Sequence, residues 1–200
     1  MKRGLLIVLS GPSGVGKGTV RKKVFKDLSL NLAYSISMTT RQPRNNEKDG
    51  VDYFFVSLEE FTKKIEEKKF LEFTKFVGNY YGTPADYVEK LRNEGKNVFL
   101  EIEIEGAKEV LSKCQGDDVI SIFLIPPSIE ELERRIRGRK SEPDEIIQER
   151  LAKAKREIGF RDRYQYVVVN DNLSKASYRI KQIIRNRIKK INKKEAEENA

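Results

Sequence analysis

The chain has 200 residues, 38% hydrophobic and 36% charged, with a formal charge of +9, one cysteine and no histidine. That length forms one ordinary domain with a sizeable apolar centre. Its longest apolar runs, 4–9 and 120–127, are too short to span a bilayer, so no membrane association is expected.

A lone Cys114 excludes an internal disulfide framework and predicts a cytoplasmic protein. No signal peptide is expected, since the first apolar run follows Met1–Arg3 directly and no small-residue cleavage site appears. The missing histidine removes histidine general bases, Ser-His-Asp triads and histidine metal sites together. Catalysis must then run on carboxylates, cations, backbone amides and hydroxyls. Phosphoryl transfer needs no more, because it depends on positioning and charge stabilisation. Much of the basic excess lies in 185–190 and Lys193-Lys194; with no recognition motif beside it, no specific nucleic-acid binding is expected.

In chain order, the continuous apolar run Leu5–Leu9 predicts a parallel strand buried on both faces. A glycine-rich loop follows, then a helix from Gly16 to about Asp27, a strand from Tyr34 to Met38 and a loop from Thr39 to Gly50. The stretch 51–82 predicts a small mixed sheet from Tyr53–Val56, Phe70–Phe73 and Tyr80-Tyr81 around a helix at Leu58–Glu67. Pro84 suits the first turn of a helix to about Asn93. A strand over Asn97–Ile104, a helix over Glu105–Lys113 and a strand over Val119–Ile125 come next. Ser128, with Glu131 three residues on, predicts a capping box for a helix Ile129–Arg137. Pro143 opens a helix to about Ile158, Tyr166–Val169 is a last strand, and Leu173–Ile191 a last amphipathic helix before a frayed polar tail, 192–200. Strands alternating with helices imply an α/β fold with a central parallel sheet flanked by helices, interrupted by two inserts.

Gly11-Pro12-Ser13-Gly14-Val15-Gly16-Lys17-Gly18-Thr19 lies between a buried strand and a helix start, the setting a P-loop needs. Its glycines let backbone N–H groups turn onto phosphate oxygens, the helix N-terminus adds its positive end, and Lys17 reaches the outer phosphates. The residue after the lysine is ordinarily Ser or Thr, whose hydroxyl reaches Mg2+; here it is Gly18. Either Thr19 takes over that role or binds an inner phosphate, or the ion is held mainly through water.

Further segments carry a resemblance: 35–44, 49–56, Phe70-Leu71-Glu72, 78–84, 126–132 and 167–171. With the P-loop, they resemble the guanylate kinases in order and over nearly the whole chain. The resemblance implies a P-loop nucleoside monophosphate kinase fold and transfer of a phosphoryl group from ATP, with Mg2+, to GMP. It divides residues 1–191 into a core (1–33, 97–127, 164–191), a GMP-binding region (34–96) and a lid (128–163). It implies that Ser37, Arg41, Arg44, Tyr53 and Tyr81 hold the GMP phosphate. Guanidinium forks and phenol hydroxyls are in any case good donors to phosphate oxygens.

Guanine presents two adjacent donors, which one carboxylate can accept together. The resemblance puts Glu72 there, helped by Thr83 and by Glu103, where the family usually has aspartate. Glu101 joins this set and lies near Lys17 and the ion. Asn170 is implied near the adenine. In the lid, Arg135, Arg139 and Arg150 would close on the phosphates; Lys140 stands where glycine is usual. Cations that arrive on closure stabilise the transferring group and exclude water. Three rivals remain: a binding module of the same fold that recognises phosphopeptides, a related kinase with another phosphorylated acceptor, and a basic nucleic-acid protein, which would bind arbitrary DNA or RNA with strong salt dependence. Oligomeric state has no signature in the sequence.

Overall fold

The computed structural model describes residues 2–138 and 143–198. Along the chain run β1 (Leu6–Ser10), α1 (Lys17–Val24), β2 (Leu32–Tyr34), β3 (Met38–Thr39), β4 (Phe54–Phe55), α2 (Leu58–Glu66), β5 (Phe70–Phe76), β6 (Asn79–Pro84), α3 (Ala85–Asn93) and β7 (Asn97–Glu101). Then follow α4 (Ile104–Lys113), β8 (Val119–Ile125), α5 (Ile129–Arg137), α6 (Asp144–Ile158), β9 (Tyr166–Val169) and α7 (Leu173–Glu198).

The alternation of side chains along β1 sorts the core into two layers. Leu5, Ile7 and Leu9 pack with Val20 and Val24 of α1 and Ile180, Ile183 and Ile184 of α7. Leu6 and Val8 pack with Val88 of α3 and Ile104, Ala107 and Val110 of α4. A strand with both faces covered has no polar side to show, and so reads as an unbroken apolar run. The five-stranded sheet has the order β2-β7-β1-β8-β9, and every pairing in it is parallel. The P-loop therefore leaves the central strand at the carboxyl edge of the sheet, where open α/β sheets bind ligands.

A second sheet, β4-β3-β6-β5, is mixed. Its own small core joins Met38, Phe61 and Phe70, with the last two rings stacked at 4.4 Å. Helices α5 and α6 bury Leu132, Ile136, Ile147, Leu151 and Ala154 against each other.

Several boundaries differ from the sequence expectation. The single strand expected over 34–38 is two strands in different sheets: Ser35 N still donates to Phe99 O of β7, while Ser37 O accepts from Phe54 N in the second sheet. The hand-over takes three residues, and alternating side chains run through it unmarked. The strand expected to reach Ile104 ends at Glu101, because Ile104 already turns its side chain into the core as the first residue of α4. Pro84 closes β6 and precedes α3 instead of lying in its first turn.

Ser128 Oγ accepts from Glu131 N at 3.1 Å, but the Glu131 carboxylate turns to Arg134 and Arg135 instead of completing the capping box. Helix α7 continues past Ile191 to Glu198. The charges that read as a solvated tail are ion-paired there, Lys194 to Asp117 at 3.3 Å and Lys193 to Glu197 at 3.7 Å. No helix among the described residues is long and apolar enough to cross a membrane.

Candidate active site

The P-loop needs its glycines for specific reasons. Gly16 has φ +96°, and a Cβ there would lie 2.9 Å from the Asn170 amide nitrogen. At Gly11 (φ +149°) a Cβ would lie 2.2 Å from Leu124 O of β8. A side chain at either position would force the loop off the sheet edge. Lys17 Nζ folds back to donate to Gly11 O at 2.6 Å. Burial lowers its pKa, and the carboxylates of Glu101, Glu103 and Glu157 oppose that shift. The ammonium is thus anchored by carbonyls of its own loop, among negative charges, next to the N–H groups that open α1.

Glu101, at the end of β7, accepts from Arg21 Nε at 2.7 Å. Arg21 also lies over the Tyr34 ring at 4.0 Å. A Cβ on Gly18 would stand 3.4 Å from Glu101 Oε1, an ordinary contact. The Cβ of Gly18→Ser therefore fits without rearrangement. It should stabilise the protein by about 0.5 kcal/mol, since glycine is the weaker helix former; urea unfolding measures this, and a loss of stability would mean that the Glu101–Arg21 pair tolerates no neighbour. Thr19 is exposed.

The second sheet positions a different chemistry. Glu72 of β5 is 7% exposed and accepts from Thr83 Oγ1 of β6 at 2.5 Å. Burial pushes its pKa up, Thr83 opposing. Helix α4 approaches so closely that a Cβ on Gly106 would lie 2.6 Å from Glu72 Oε2. The Tyr53 and Tyr81 rings meet edge to face at 6.0 Å, and the Arg41 guanidinium lies 5.5 Å from the Tyr53 ring centre. Arg41 is held by both oxygens of Glu47 at 2.8 Å, and Arg44 N donates to the same carboxylate at 2.9 Å. The backbone bond from Arg44 first, and then Arg41, lower the Glu47 pKa. Ser37 is half-buried and Arg44 exposed.

Helices α5 and α6 reach over the P-loop. Arg135 Nη2 donates to Asn170 O at 2.8 Å, and Nη1 lies 3.5 Å from Val15 O; Arg150 Nη2 donates to Ser13 Oγ at 2.7 Å. Glu131 steadies Arg135 at 2.8 Å, and its carboxyl is lowered to about 2 by Arg134 and Arg135. Arg139 and Lys140 lie outside the described residues.

Glu103 and Asn170 make contacts that the sequence did not announce. Glu103 is exposed and bound to Lys153 of α6 at 3.1 Å. Asn170 is buried, and its amide donates to Val15 O at 2.8 Å, so it braces the P-loop. Sequence reasoning missed Arg21, Glu47, Gly106 and Lys153. Two carried a signal: Arg21 stands one helical turn after Lys17, and Gly106 is a glycine inside a helical pattern.

A P-loop, a buried carboxylate on a side sheet and arginines of α5 and α6 set against the loop define the site. The guanylate kinase family model matches residues 3–187. The chain belongs to the guanylate kinase family. Guanylate kinases of Bacillus cereus and Bacillus anthracis are each 57% identical to it over 183 residues, 92% of this chain and 88% of theirs. Among solved structures, a guanylate kinase from Anaplasma phagocytophilum superposes with a TM-score of 0.71 at 34% identity, covering 93% of this chain and 87% of that one. Within this family frame, the P-loop nucleoside monophosphate kinase fold is the one observed, with the parallel sheet between helices.

The Gly106 contact carries a further expectation. Gly106→Ala should displace the Glu72 carboxylate and raise KM for the acceptor on the order of tenfold, a misplacement effect. Steady-state kinetics and a thermal melt check it; an unchanged KM would mean that Glu72 does not set acceptor binding.

Proposed function

We propose that this chain performs the guanylate kinase reaction, ATP + GMP → ADP + GDP, with the P-loop holding ATP, the second sheet holding GMP and the lid arginines closing over the transferring group. The observation that carries the reading is Glu72: a buried carboxylate with a raised pKa and one side-chain donor, Thr83. Its free acceptor capacity matches the adjacent N1–H and N2 amine of guanine, which adenine lacks. The family and the fold support the reaction itself.

In this reading Gly11–Thr19 wrap the ATP phosphates, and Lys17 leaves Gly11 O for their outer oxygens. Asn170 acts on the nucleotide through the P-loop shape it braces. Arg41, Arg44, Tyr53, Tyr81 and Ser37 take the GMP phosphate, and Arg41 must exchange Glu47 for it. Arg135 and Arg150, with Arg139, balance charge on the group in flight and exclude water. Glu103 turns from Lys153 toward guanine. A nucleoside monophosphate has a second pKa near ~6, so its attacking oxygen is already ionised at neutral pH and no general base is required.

No cluster of three acidic or thiol ligands exists among the described residues. An ion brought in on phosphates and water would have Thr19 and Glu101, which line the same hollow as Lys17, as its neighbouring protein oxygens. Bound there, Mg2+ would neutralise phosphate charge and polarise the transferring group. A cytoplasmic setting fits these substrates.

The test is ADP production from Mg-ATP with GMP, AMP, CMP, UMP and IMP supplied in turn. GMP turnover far above the rest supports the reading. Equal turnover of AMP, or none with any acceptor in a folded protein, rejects it.

A further inference from the structure

Arg21 stands one helical turn after Lys17 and lines the same hollow as Lys17, Gly18, Thr19 and Glu101. Its Nε donates to Glu101 Oε2 at 2.7 Å, the two side chains being 23% and 18% exposed. Its guanidinium lies over the Tyr34 ring at 4.0 Å and 6.0 Å from the centre of Phe25. Three elements thus meet at one side chain. Helix α1 supplies it, β7 ends in its carboxylate partner, and β2 ends in the ring it covers.

Glu101 turns its oxygens to Gly18. A Cβ at Gly18 would meet Oε1 at 3.4 Å and Oε2 at 3.9 Å. Glycine brings no hydroxyl to this spot, and a carboxylate stands beside the place where a side chain would begin. Mg2+ demands near-octahedral oxygen geometry and keeps several waters, so an acid that borders it must be fixed in place. A glutamate left alone spreads over many rotamers, and ordering it costs entropy. The bond to Arg21 removes that freedom: Nε takes Oε2, and Oε1 is left nearest to Gly18.

We propose that Arg21 is a positioning residue for the phosphoryl transfer: it fixes the Glu101 carboxylate beside Gly18, where a P-loop hydroxyl is missing, as the protein's anchor for the metal–nucleotide complex. The inference rests on the reading of Glu101 as a neighbour of the ion. Arg21 acts through Glu101 and touches no substrate. A planar guanidinium can donate along its edge while its face covers a ring, which an ammonium cannot do. A partly solvated ion pair adds little to stability, so its loss need not unfold the protein.

The experiment titrates a non-hydrolysable ATP analogue by calorimetry, once with Mg2+ and once with a chelator, and records Tm. It compares wild type, Arg21→Met, Arg21→Lys, Glu101→Gln and the double variant Arg21→Met/Glu101→Gln. Arg21→Met keeps an apolar stem against the rings but releases the carboxylate. It is expected to bind the Mg2+ complex about tenfold more weakly, the scale of losing a partner behind a metal-facing group. Its affinity for the metal-free analogue should stay within about twofold of wild type. Arg21→Lys keeps the charge without the fork and should lose about threefold on the Mg2+ complex; this arm holds even where Arg21→Met fails to fold. The double variant should bind the Mg2+ complex no more weakly than Glu101→Gln, since Arg21 acts by no other route.

Arg21 variants that bind like wild type beside a weakened Glu101→Gln overturn this inference alone. Equal losses with and without Mg2+, or losses that add in the double variant, put Arg21 on the phosphates themselves and also overturn it. So does a loss that merely follows Tm. A Glu101→Gln that binds the Mg2+ complex like wild type overturns the reading of Glu101 beneath it, and the inference with it.

Discussion

Lys17→Ala is expected to lower kcat on the order of 10³-fold, about 4 kcal/mol of transition-state stabilisation, while leaving Tm within a few degrees of wild type. The two halves of that expectation have separate causes. The catalytic loss follows from the position of the ammonium, held at 2.6 Å by Gly11 O of the loop that precedes α1. Arg21, one turn on along α1, is committed elsewhere, bound to Glu101 and stacked on Tyr34. The small change in stability follows from compensation. Removing the ammonium leaves carbonyls short of a donor, but it also removes a charge whose burial lowers its own pKa. Steady-state kinetics with a thermal melt decide the matter. Retained turnover would mean that the loop does not cradle phosphate, and a collapse of Tm would mean that Lys17 is structural.

Such separation of roles bears on how much of the protein its sequence discloses. The apolar run of β1 gave a buried parallel strand because both its faces are covered, by α1 and α7 on one side and α3 and α4 on the other. Spacing and glycines marked the P-loop because phosphate binding dictates backbone geometry locally. The hand-over at Ser35–Ser37 was hidden, since side chains alternate through it while the hydrogen-bond partner changes from β7 to the second sheet.

Partners across the site were hidden for a related reason. Glu47 gives no sign that it will clasp Arg41, and neither Lys153 nor Glu157 differs in pattern from any charged helix face. Each acquires meaning from a residue brought up by folding. The Asn170 amide, which braces Val15 O, gave no sign of that bond in the sequence.

Glu72→Gln is expected to cost about 10⁴-fold in kcat/KM for GMP, because a site built around a buried acceptor pair rejects a group that cannot supply it. The amide keeps the size of the side chain, so Thr83 can still donate to its oxygen, but its NH2 faces the guanine donors. Discrimination between GMP and IMP, which lacks the N2 amine, should shrink in the same variant. The carboxylate also leaves a mark on the free protein. Burial raises its folded pKa above the unfolded value, so between the two the folded state binds more protons. Stability then falls as pH rises through that window, and above it the cost of the buried charge is fully present. GMP affinity should move the other way, rising with pH as the accepting form appears. Glu72→Gln should flatten that segment of the Tm–pH curve while abolishing selectivity, so one substitution separates the group's burden on the fold from its use in recognition. Tm measured against pH for both forms, with GMP and IMP kinetics, tests the pair of effects. Undiminished GMP selectivity in the variant would remove Glu72 from base recognition and leave its burial without a function.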